Sequence, residues 1–363
     1  MNKGVIILLG MLLFASCNEG GVKNMEYHTP EYYFDNTIEV TGELLEAEYI
    51  SSNIFKCFYT PYGFLGSMRS KEDKMVHLAD LKTGEIEVSA CSFGRGPEEI
   101  LIGSPDLALY NNSLYLLDQR TDKIKRVDIE GDTLKTYDLQ KLALDQPAFF
   151  LELQVVNDSL FVVLAEDFNS VKKIMLVDKD NNVLDCLEYK LLDDERVDQT
   201  AYKYNVEMEL SPCKSYLFIS SRLFGYISKY KIENNKISLL DKKALVEPKY
   251  IVKDKSPLIK QDNINLNNVI YVGDNYMYMI ANPESQKETN ERSAKSRAEG
   301  KLMDGIPDNE SFVLVFDYNL NLLKKYKVDS NIRHLVLTPE NSIVYALDYR
   351  ENRLKKYTLP GLE

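Results

Sequence analysis

Short runs of alternating apolar and polar residues, separated by turn residues, fill most of the chain after residue 36. The stretch NNSLYLLDQRTDKIKRVDIEGDTLKTYDL, at 111–139, shows the repeating unit: a turn, an apolar strand, a connection, a second strand, a tight turn and a third strand. Alternation with a period of two residues between clusters of Asn, Asp and Gly is typical of antiparallel hairpins. The pattern predicts strands rather than helices.

The same unit returns along the sequence. Similar copies cover 63–93, 157–189, 213–241, 340–359 and, with an interruption, 273–329. A further strand precedes each copy, at 54–59, 106–110, 149–156, 205–210, 267–272 and 332–337. Four antiparallel strands per unit at this spacing are typical of propeller blades. We therefore predict an all-β fold, a six-bladed β-propeller with four antiparallel strands per blade.

The last copy is incomplete, because the sequence ends after three of its strands. The stretch NTIEVTG at 36–42 favours a strand and belongs to no unit. A closed ring needs the outer strand of its last blade paired. We therefore expect the strand near Ile38–Thr41 to complete the last blade by pairing with Arg353–Thr358. A separate tethering strand is the alternative.

The first residues, MNKGVIILLGMLLFASC, carry Lys3 and then an uninterrupted run of apolar or small residues. The run indicates a secretory signal, because it is shorter than the about 20 apolar residues that span a bilayer. Its end, FASC, resembles a bacterial lipoprotein signal, in which the cysteine is lipidated. We predict a signal at 1–16, a lipidated tether at 17–35 that begins with Cys17, and a propeller at 36–363. An ordinary secretory signal is the alternative.

Composition mainly excludes partners. The chain has 24 tyrosines and no tryptophan, and its formal net charge is −12. Such a charge argues against nucleic acid and against direct adsorption to an anionic membrane leaflet. We expect the lipid on Cys17 to attach the protein to the membrane. The expected location is the cell envelope, at the outer membrane, on a side that the sequence leaves open.

Residues that often bind metals or form disulfides are scattered. Four cysteines follow Cys17, with spacings that fit neither a disulfide framework nor a CxxC metal site, and we expect them to be buried free thiols: Cys57, Cys91, Cys186 and Cys213. The three histidines are far apart in sequence: His28, His77 and His334. We predict no metal, no cofactor and no catalytic residue.

The segment CSFGRGPEEI at 91–100 stands out by its glycines and charges. A phosphate-binding loop needs a helix after it, whereas the sequence that follows predicts a strand and a hairpin. We interpret Gly94, Gly96 and Pro97 as a structural turn between the first and second blades. The charged residues of the segment either pair locally or contact a ligand at the channel mouth: Arg95, Glu98 and Glu99.

The six repeats, together with GRGPEE after the first blade, resemble the TolB-like six-bladed β-propeller lipoproteins of Gram-negative bacteria, the NHL/TolB type of propeller. Members of that family often carry a G-x-G-P-x-E segment at this place. The residue after the proline is usually glycine there, and it is Glu98 here. The resemblance covers essentially all of the chain after the signal. It implies the fold and an envelope location more than a biochemical activity.

Loop lengths distinguish the two faces of the predicted disc. Connections between the first and second strands of a blade, and between the third and fourth, are all short. The long connections belong to the opposite face, at 191–204, 242–266 and 283–310, and GRGPEE lies there too. We call this the loop-rich face and the other the plain face. Elaborate loops on a rigid scaffold are where binding is expected.

The insertion 283–310 in blade five is the part of the chain that least resembles a strand. Helix formers predominate from Ser285 to Lys301, and two oppositely charged pairs have i,i+4 spacing: Glu288 with Arg292, and Glu291 with Lys295. Its low apolar content predicts a surface helix or a mobile flap. It is either a lid over the central channel or a solvated excursion.

Two functions follow from different classes. The first is a non-catalytic envelope lipoprotein that binds a protein or an oligosaccharide on its loop-rich face, and we favour it because the sequence shows no catalytic constellation. The alternative is a propeller hydrolase or lyase that acts on a glycan with carboxylates at the central channel. Several acidic residues that converge in one concave site would favour the enzyme.

Overall fold

The computed structural model describes residues 27–49, 51–69, 74–101, 106–143, 148–198, 206–221, 224–266, 269–299 and 310–362. Within them the chain forms six sheets of four or five strands, arranged as propeller blades, so the predicted all-β, six-bladed fold is confirmed. Cys17 and the predicted signal lie outside the described residues. In the described part of the chain, no helix is long and apolar enough to cross a membrane.

Three short elements precede the blades: α1 (Pro30–Phe34), β1 (Ile38–Val40) and β2 (Glu43–Glu48). Pro30 begins α1, a position where its missing N–H is not needed. Tyr33 is buried among apolar residues of blades four and five, which fixes α1 against the propeller.

Blade one consists of β3 (Ser51–Thr60), β4 (Gly63–Arg69), β5 (Lys74–Ala79) and β6 (Ile86–Phe93), with the short β7 (Glu99–Ile100) parallel to β6. Blade two consists of β8 (Asp106–Tyr110), β9 (Ser113–Asp118), β10 (Lys123–Glu130) and β11 (Thr133–Lys141). Asn111 and Asn112 both have positive φ in the first hairpin of blade two. Two-residue hairpin turns require this conformation, and asparagine adopts it more readily than most residues, which explains why asparagine occurs at both positions.

Blade three consists of β12 (Ala148–Asn157), β13 (Leu160–Asp167), β14 (Lys172–Asp178) and β15 (Val183–Glu188). Blade four consists of β16 (Val206–Leu210), β17 (Tyr216–Ser221), β18 (Tyr226–Glu233) and β19 (Lys236–Ala244). A separate hairpin follows, formed by β20 (Tyr250–Lys253) and β21 (Ser256–Ile259), and then the short β22 (Ile264–Asn265).

Blade five consists of β23 (Val269–Val272), β24 (Met277–Ala281), β26 (Ser311–Phe316) and β27 (Leu322–Val328), and between β24 and β26 lie β25 (Glu284–Ser285) and α2 (Gln286–Ala298). Blade six has β28 (Ile332–Leu337), β29 (Ile343–Asp348) and β30 (Arg353–Thr358). In every blade the first of the four strands is the inner one, and the inner strands of neighbouring blades are in contact.

The core lies between the blades. Phe161 and Val163 of β13 pack toward blade two, and Val162 and Leu164 of the same strand pack toward blade four. Both faces of the strand are therefore buried, because successive side chains of a strand point to opposite sides of the sheet. This explains why the second strands of the blades are nearly continuous apolar runs.

The N-terminal strands join two different blades. β1 pairs in parallel with β27 at the outer edge of blade five, and β2 pairs antiparallel with β30 at the outer edge of blade six. The predicted pairing of Ile38–Thr41 with Arg353–Thr358 is therefore wrong, and Glu43–Glu48 occupies that place. Val40 is buried in the cluster that blades five and six share, opposite Val328 of β27. Periodicity alone could not choose between the two stretches.

The insertion in blade five begins with a helix, as its composition predicts. Ser285 is the N-cap of α2, and the Glu288 side chain completes a capping box. Every residue of α2 is at least partly exposed. Glu288 serves the helix start, and Arg292 pairs instead with the buried Glu284 at 2.9 Å. The predicted pair of Glu288 with Arg292 is wrong for this reason.

Candidate functional site

The joint between blades one and two is the GRGPEE segment, which folds around the side chain of Glu99. The Glu99 carboxylate accepts a hydrogen bond from the Gly96 N–H at 2.7 Å. A Cβ at Gly94 would lie 2.0 Å from the same carboxylate, so only glycine leaves room for it. Glu99 therefore turns its charge toward the backbone of the joint.

A buried lysine of blade two fixes this joint. The Lys125 side chain is 1% exposed, and its ammonium donates to the Pro97 carbonyl at 2.8 Å and to Asp138 at 2.5 Å. Burial works to raise the pKa of Asp138, but the bonds from Lys123 and Lys125 outweigh it and lower the pKa. The Asp138 carboxylate is thus held ionised at neutral pH, and Lys125 joins it to the Pro97 carbonyl.

A pocket of about 420 Å³ lies beside the joint, and its lining includes Lys74, Cys91, Glu98, Glu99, Leu134 and Thr136. Arg95 is exposed and does not line it. The Cys91 Sγ lies 3.2 Å from the Thr136 Oγ1, and burial raises the pKa of the thiol. A thiol with a raised pKa is a weak nucleophile, so Cys91 is not activated in this polar cleft.

The joint between blades five and six is centred on Asp329. Its carboxylate accepts hydrogen bonds from the Gly42 N–H at 3.3 Å, from the Tyr357 hydroxyl at 3.0 Å and from the Lys355 ammonium at 3.2 Å. Lys355 also bonds Ser330. A second pocket of about 420 Å³ lies here, lined mainly by charged residues. Lys355 occupies in β30 the place that Lys125 occupies in β10.

Polar side chains link the inner strands around the central channel. Asp106 of blade two accepts a hydrogen bond from the Leu153 N–H of blade three at 2.6 Å. Glu152 of blade three accepts one from the Met208 N–H of blade four, also at 2.6 Å. Between blades five and six, the hydroxyl of Tyr271 lies 3.2 Å from a ring nitrogen of His334. These contacts tie blade two to blade three, blade three to blade four, and blade five to blade six near the axis.

Lys56 crosses the channel from blade one. Its ammonium lies 3.3 Å from Asp106 of blade two and 3.6 Å from Glu209 of blade four, the blade opposite in the ring. Burial works to lower the pKa of Lys56, but the surrounding carboxylates, Asp106 first, raise it. Burial raises the pKa of Glu209 to about 7, although Lys56 opposes the shift. Burial and the neighbouring Asp106 likewise raise the pKa of Glu152.

One signal in the sequence points to this acidic cluster, although the predicted site residues do not include it. Three carboxylates lie on the inner strands of successive blades, where an apolar or neutral residue is expected: Asp106, Glu152 and Glu207. A charge that recurs on strands predicted to be innermost indicates convergence at the axis. The residues predicted from the sequence to contact a ligand lie at the joint of blades one and two instead: Arg95, Glu98 and Glu99.

An exposed aromatic pair lies on the loop-rich face of blade three. Phe149, near the start of the inner strand β12, is 59% exposed, and Phe168, in the turn after β13, is 68% exposed. Their rings meet edge to face with centroids 5.7 Å apart. Large apolar rings left in solvent are typical of binding surfaces rather than of scaffold.

Groups that commonly bind metals do not converge in the described ranges, where no three Asp, Glu, His or Cys side chains are placed to hold an ion. His28 stacks on Tyr32, and His77 contacts Ser89 at 2.8 Å. All four described cysteines are unpaired: Cys57 and Cys91 are buried, whereas Cys186 and Cys213 are exposed, so their predicted burial is wrong for the last two. Both exposed thiols lie at outer or turn positions, where the strands face solvent.

Comparison with known proteins supports the architecture. The family model described as "TolB-like 6-blade propeller-like" matches residues 68–340. No curated protein matches the chain in sequence. A putative exported protein from Bacteroides fragilis NCTC 9343 is similar in structure, with 10% identity, a TM-score of 0.55, and coverage of 91% of this chain and 97% of that one. A member of the DUF4221 family from Bacteroides vulgatus ATCC 8482 gives 12% identity, a TM-score of 0.52, and coverage of 89% and 96%.

At such identities the two structures show the fold alone. The family match is different in kind, because it spans well over half of the 363 residues and rests on the sequence itself. The repeats, the ring of inner strands and this match agree, and the chain belongs to the TolB-like six-bladed β-propeller family.

Proposed function

We propose that the protein is a non-catalytic lipoprotein of the cell envelope, anchored to the outer membrane through Cys17, which binds a protein or glycan partner on its loop-rich face. The observation that carries the proposal is the exposed pair of Phe149 and Phe168. Phe149 belongs to the inner strand β12 and Phe168 to the turn after β13, so blade three presents both rings on the loop-rich face.

The state of the channel carboxylates supports binding over catalysis. Asp106 and Glu152 each accept a short backbone hydrogen bond from the next blade, so their oxygens hold the ring together. Lys56 lies between two of the channel carboxylates and neutralises part of the cluster. A cluster that is engaged in this way explains why carboxylates occur at the axis without requiring a reaction.

The test is chemical crosslinking of the lipidated protein in its native envelope, followed by capture of the protein with whatever it has bound. Wild type is compared with Phe149→Ala combined with Phe168→Ala. Tyr62→Ala is the matched control, because Tyr62 is 61% exposed in a turn of the plain face. We expect the Phe variant to lose a partner that wild type and the Tyr62 variant both keep. Equal recovery from all three would contradict the proposal.

A second candidate function is a channel hydrolase or lyase that acts on a glycan. The raised pKa of Glu209, about 7, together with Lys56 at 3.6 Å, is the observation that favours it. A carboxyl group with a pKa near the ambient pH suits general acid–base catalysis. Turnover of an envelope glycan that Glu209→Gln abolishes, while the Phe149 and Phe168 variant retains it, would establish the enzyme.

A further inference from the structure

The hairpin β20–β21 leaves an apolar pair in solvent on the loop-rich face. Tyr250, Val252 and Ile259 pack against the core cluster between blades three and four. Ile251 and Leu258 are directly opposite each other and point the other way. They are 53% and 45% exposed.

Lysines surround this pair. Lys249 and Lys253 lie two residues before and after Ile251 and therefore on its side of the hairpin. Lys260 has the same relation to Leu258 on the other strand, and all three lysines are exposed. The outward side of the hairpin thus has two aliphatic side chains in the middle and ammonium groups around them.

The charge of this region is opposite to that of the chain. Residues 249–262 contain four lysines and two aspartates, a formal charge of +2, whereas the whole chain carries −12. One aspartate, Asp262, pairs with Lys249 at 2.9 Å. Within the described ranges, three further lysines of the hairpin have no ion pair: Lys253, Lys255 and Lys260.

The hairpin is held firmly. The Tyr250 hydroxyl donates to Asp194 at 3.0 Å, and its ring meets Phe224 edge to face at 5.9 Å. The turn is fixed as well, because the Lys255 carbonyl accepts a hydrogen bond from the Asp198 N–H at 2.8 Å. The apolar pair and its lysines therefore form a preformed surface.

The N-terminal part of the chain reaches the propeller at the same place. His28 forms a parallel bridge with Val246, which precedes Tyr250 by four residues, or at most about 14 Å of extended chain. Cys17 precedes Tyr27 by ten residues, which span at most about 35 Å. Together with the bridge and the four residues that lead to Tyr250, a lipid on Cys17 would keep the hairpin within about 55 Å of a bilayer.

We propose that the hairpin β20–β21 docks on an anionic lipid bilayer, with Ile251 and Leu258 in the interfacial region and the lysines among the headgroups. The proposal rests on the lipid anchor of the proposed function. Aliphatic side chains ringed by lysines match such a surface, because the long lysine stems keep their charges in the headgroup layer. The loop-rich face is then directed toward the membrane, and its partner is a component of the same membrane.

The experiment measures the depth of the hairpin directly. The chain from Asn18 onward carries a hexahistidine tag at its start and is anchored to nickel-chelating lipids, so the test does not depend on lipidation of Cys17. Cys186 and Cys213 are changed to Ser, and a fluorophore is attached at Leu258→Cys. The control label is at Leu239→Cys, because Leu239 is 53% exposed on β19 of blade four. The vesicles contain phosphatidylglycerol and phosphatidylethanolamine, with a quencher on some acyl chains.

We expect strong quenching at position 258 and little at position 239. Lys253→Gln with Lys255→Gln should lower the docked population about fivefold for each lysine removed, and vesicles of phosphatidylcholine alone should abolish docking. Circular dichroism of each variant reports whether the fold is kept. Equal quenching at the two labels would overturn the proposal.

A separate measurement keeps the two proposals apart. The mass of the N-terminal peptide from protein made in its own envelope reports whether Cys17 carries lipid. An unmodified Cys17 contradicts the anchor of the proposed function, while quenching at position 258 still supports docking. Lipid on Cys17 without quenching at position 258 supports the anchor and contradicts the docking surface.

Discussion

A buried lysine stabilises both the joint between blades one and two and the joint between blades five and six, but it binds different acceptors in each. In each, a buried lysine on the third strand of the following blade reaches back to the connection. Lys125 binds a carbonyl, that of Pro97, in a joint shaped by glycines and Glu99. Lys355 binds side chains, those of Asp329 and Ser330.

The difference follows from what else each joint must hold. The joint of blades one and two connects only consecutive strands, so the backbone can supply the acceptor. The joint of blades five and six also receives the N-terminal strands, because Asp329 accepts from Gly42 and from Tyr357 at the same time. A carboxylate can accept several hydrogen bonds, whereas one carbonyl can accept two. At the joint that closes the ring, the acceptor is therefore the Asp329 carboxylate, whereas at the joint of blades one and two it is the Pro97 carbonyl.

The largest effect is expected for Asp329→Ala. The change removes three hydrogen bonds and leaves the hydroxyl of the fully buried Tyr357 without its acceptor, which we expect to cost about 3 kcal/mol in the free energy of unfolding. Urea unfolding measures the loss. Hydrogen exchange should quicken at 38–48 and remain unchanged at 94–101. A loss below about 1 kcal/mol would show that Asp329 is not the centre of this joint.

The same residue predicts a pH dependence. Burial alone would raise the pKa of Asp329, but the bonds from Lys355, Gly42 and Tyr357 lower it. A carboxyl group with a lowered pKa stabilises the fold above its usual range, and this contribution disappears as the pH falls through the folded value. The difference in stability between wild type and Asp329→Ala should therefore shrink below about pH 4. A difference that is constant down to pH 2 would contradict this.

Lys125→Met should have the next largest effect and lower the free energy of unfolding by about 2 kcal/mol. Asp138 keeps Lys123 at 2.6 Å, but the Pro97 carbonyl loses its charged donor. Exchange should quicken at 94–101 and not at 38–48, the reverse of the pattern for Asp329→Ala. Exchange that quickens in both segments would mean that the two joints are coupled around the ring.

Each of the two joints also contains a glycine with no room for a side chain, Gly42 in one and Gly94 in the other. A Cβ at Gly42 would lie 2.7 Å from the ring of Tyr357, which is fully buried and cannot move aside. A Cβ at Gly94 would meet the end of the Glu99 side chain, which can rotate away only by giving up its bond to the Gly96 N–H, and the φ of +157° at Gly94 is one that alanine rarely adopts. We expect each change to alanine to lose about 2 kcal/mol, from a steric clash at Gly42 and mainly from backbone strain at Gly94. Thermal unfolding of the two variants measures the losses, and a variant as stable as wild type would contradict its proposed cause.

The smallest effect has the opposite sign and belongs to the channel. The pKa of Glu209 is raised to about 7, so its ionised form costs stability at higher pH. Glu209→Gln should therefore stabilise the protein by about 1 kcal/mol at pH 8 and by nothing at pH 4, where the carboxyl group is protonated in both states. Urea unfolding at the two pH values measures it. A destabilised variant at pH 8 would show that the bond to Lys56 outweighs burial.

The sequence predicted the blades well because alternation of apolar and polar residues is a local signal. The inner strands Asp106–Tyr110 and Ile332–Leu337 were predicted at their observed bounds. Closure of the ring was harder, because 36–42 and 43–48 both favour strands and their partners are chosen by distant packing, such as that of Val40 in the cluster shared by blades five and six.

The candidate site was less predictable for a related reason. The channel cluster joins residues from several blades, and Lys56 meets Glu209 only because blades one and four are opposite in the ring. A net charge of −12 also hid the basic hairpin, since an average over the whole chain conceals a local patch of the other sign. Lys125 gave no signal either, because its acceptor is a backbone carbonyl.

The contacts of the N-terminal strands have a consequence for the order of folding. β1 pairs with β27 and β2 pairs with β30, so these N-terminal strands cannot form their sheets until nearly all of the chain has been synthesised. Contacts of such long sequence separation form late, because a very large loop must close first. Blades one to four can assemble before that moment. The last event is the arrival of 38–48 at the seam, and mutations there should change the unfolding rate more than the folding rate.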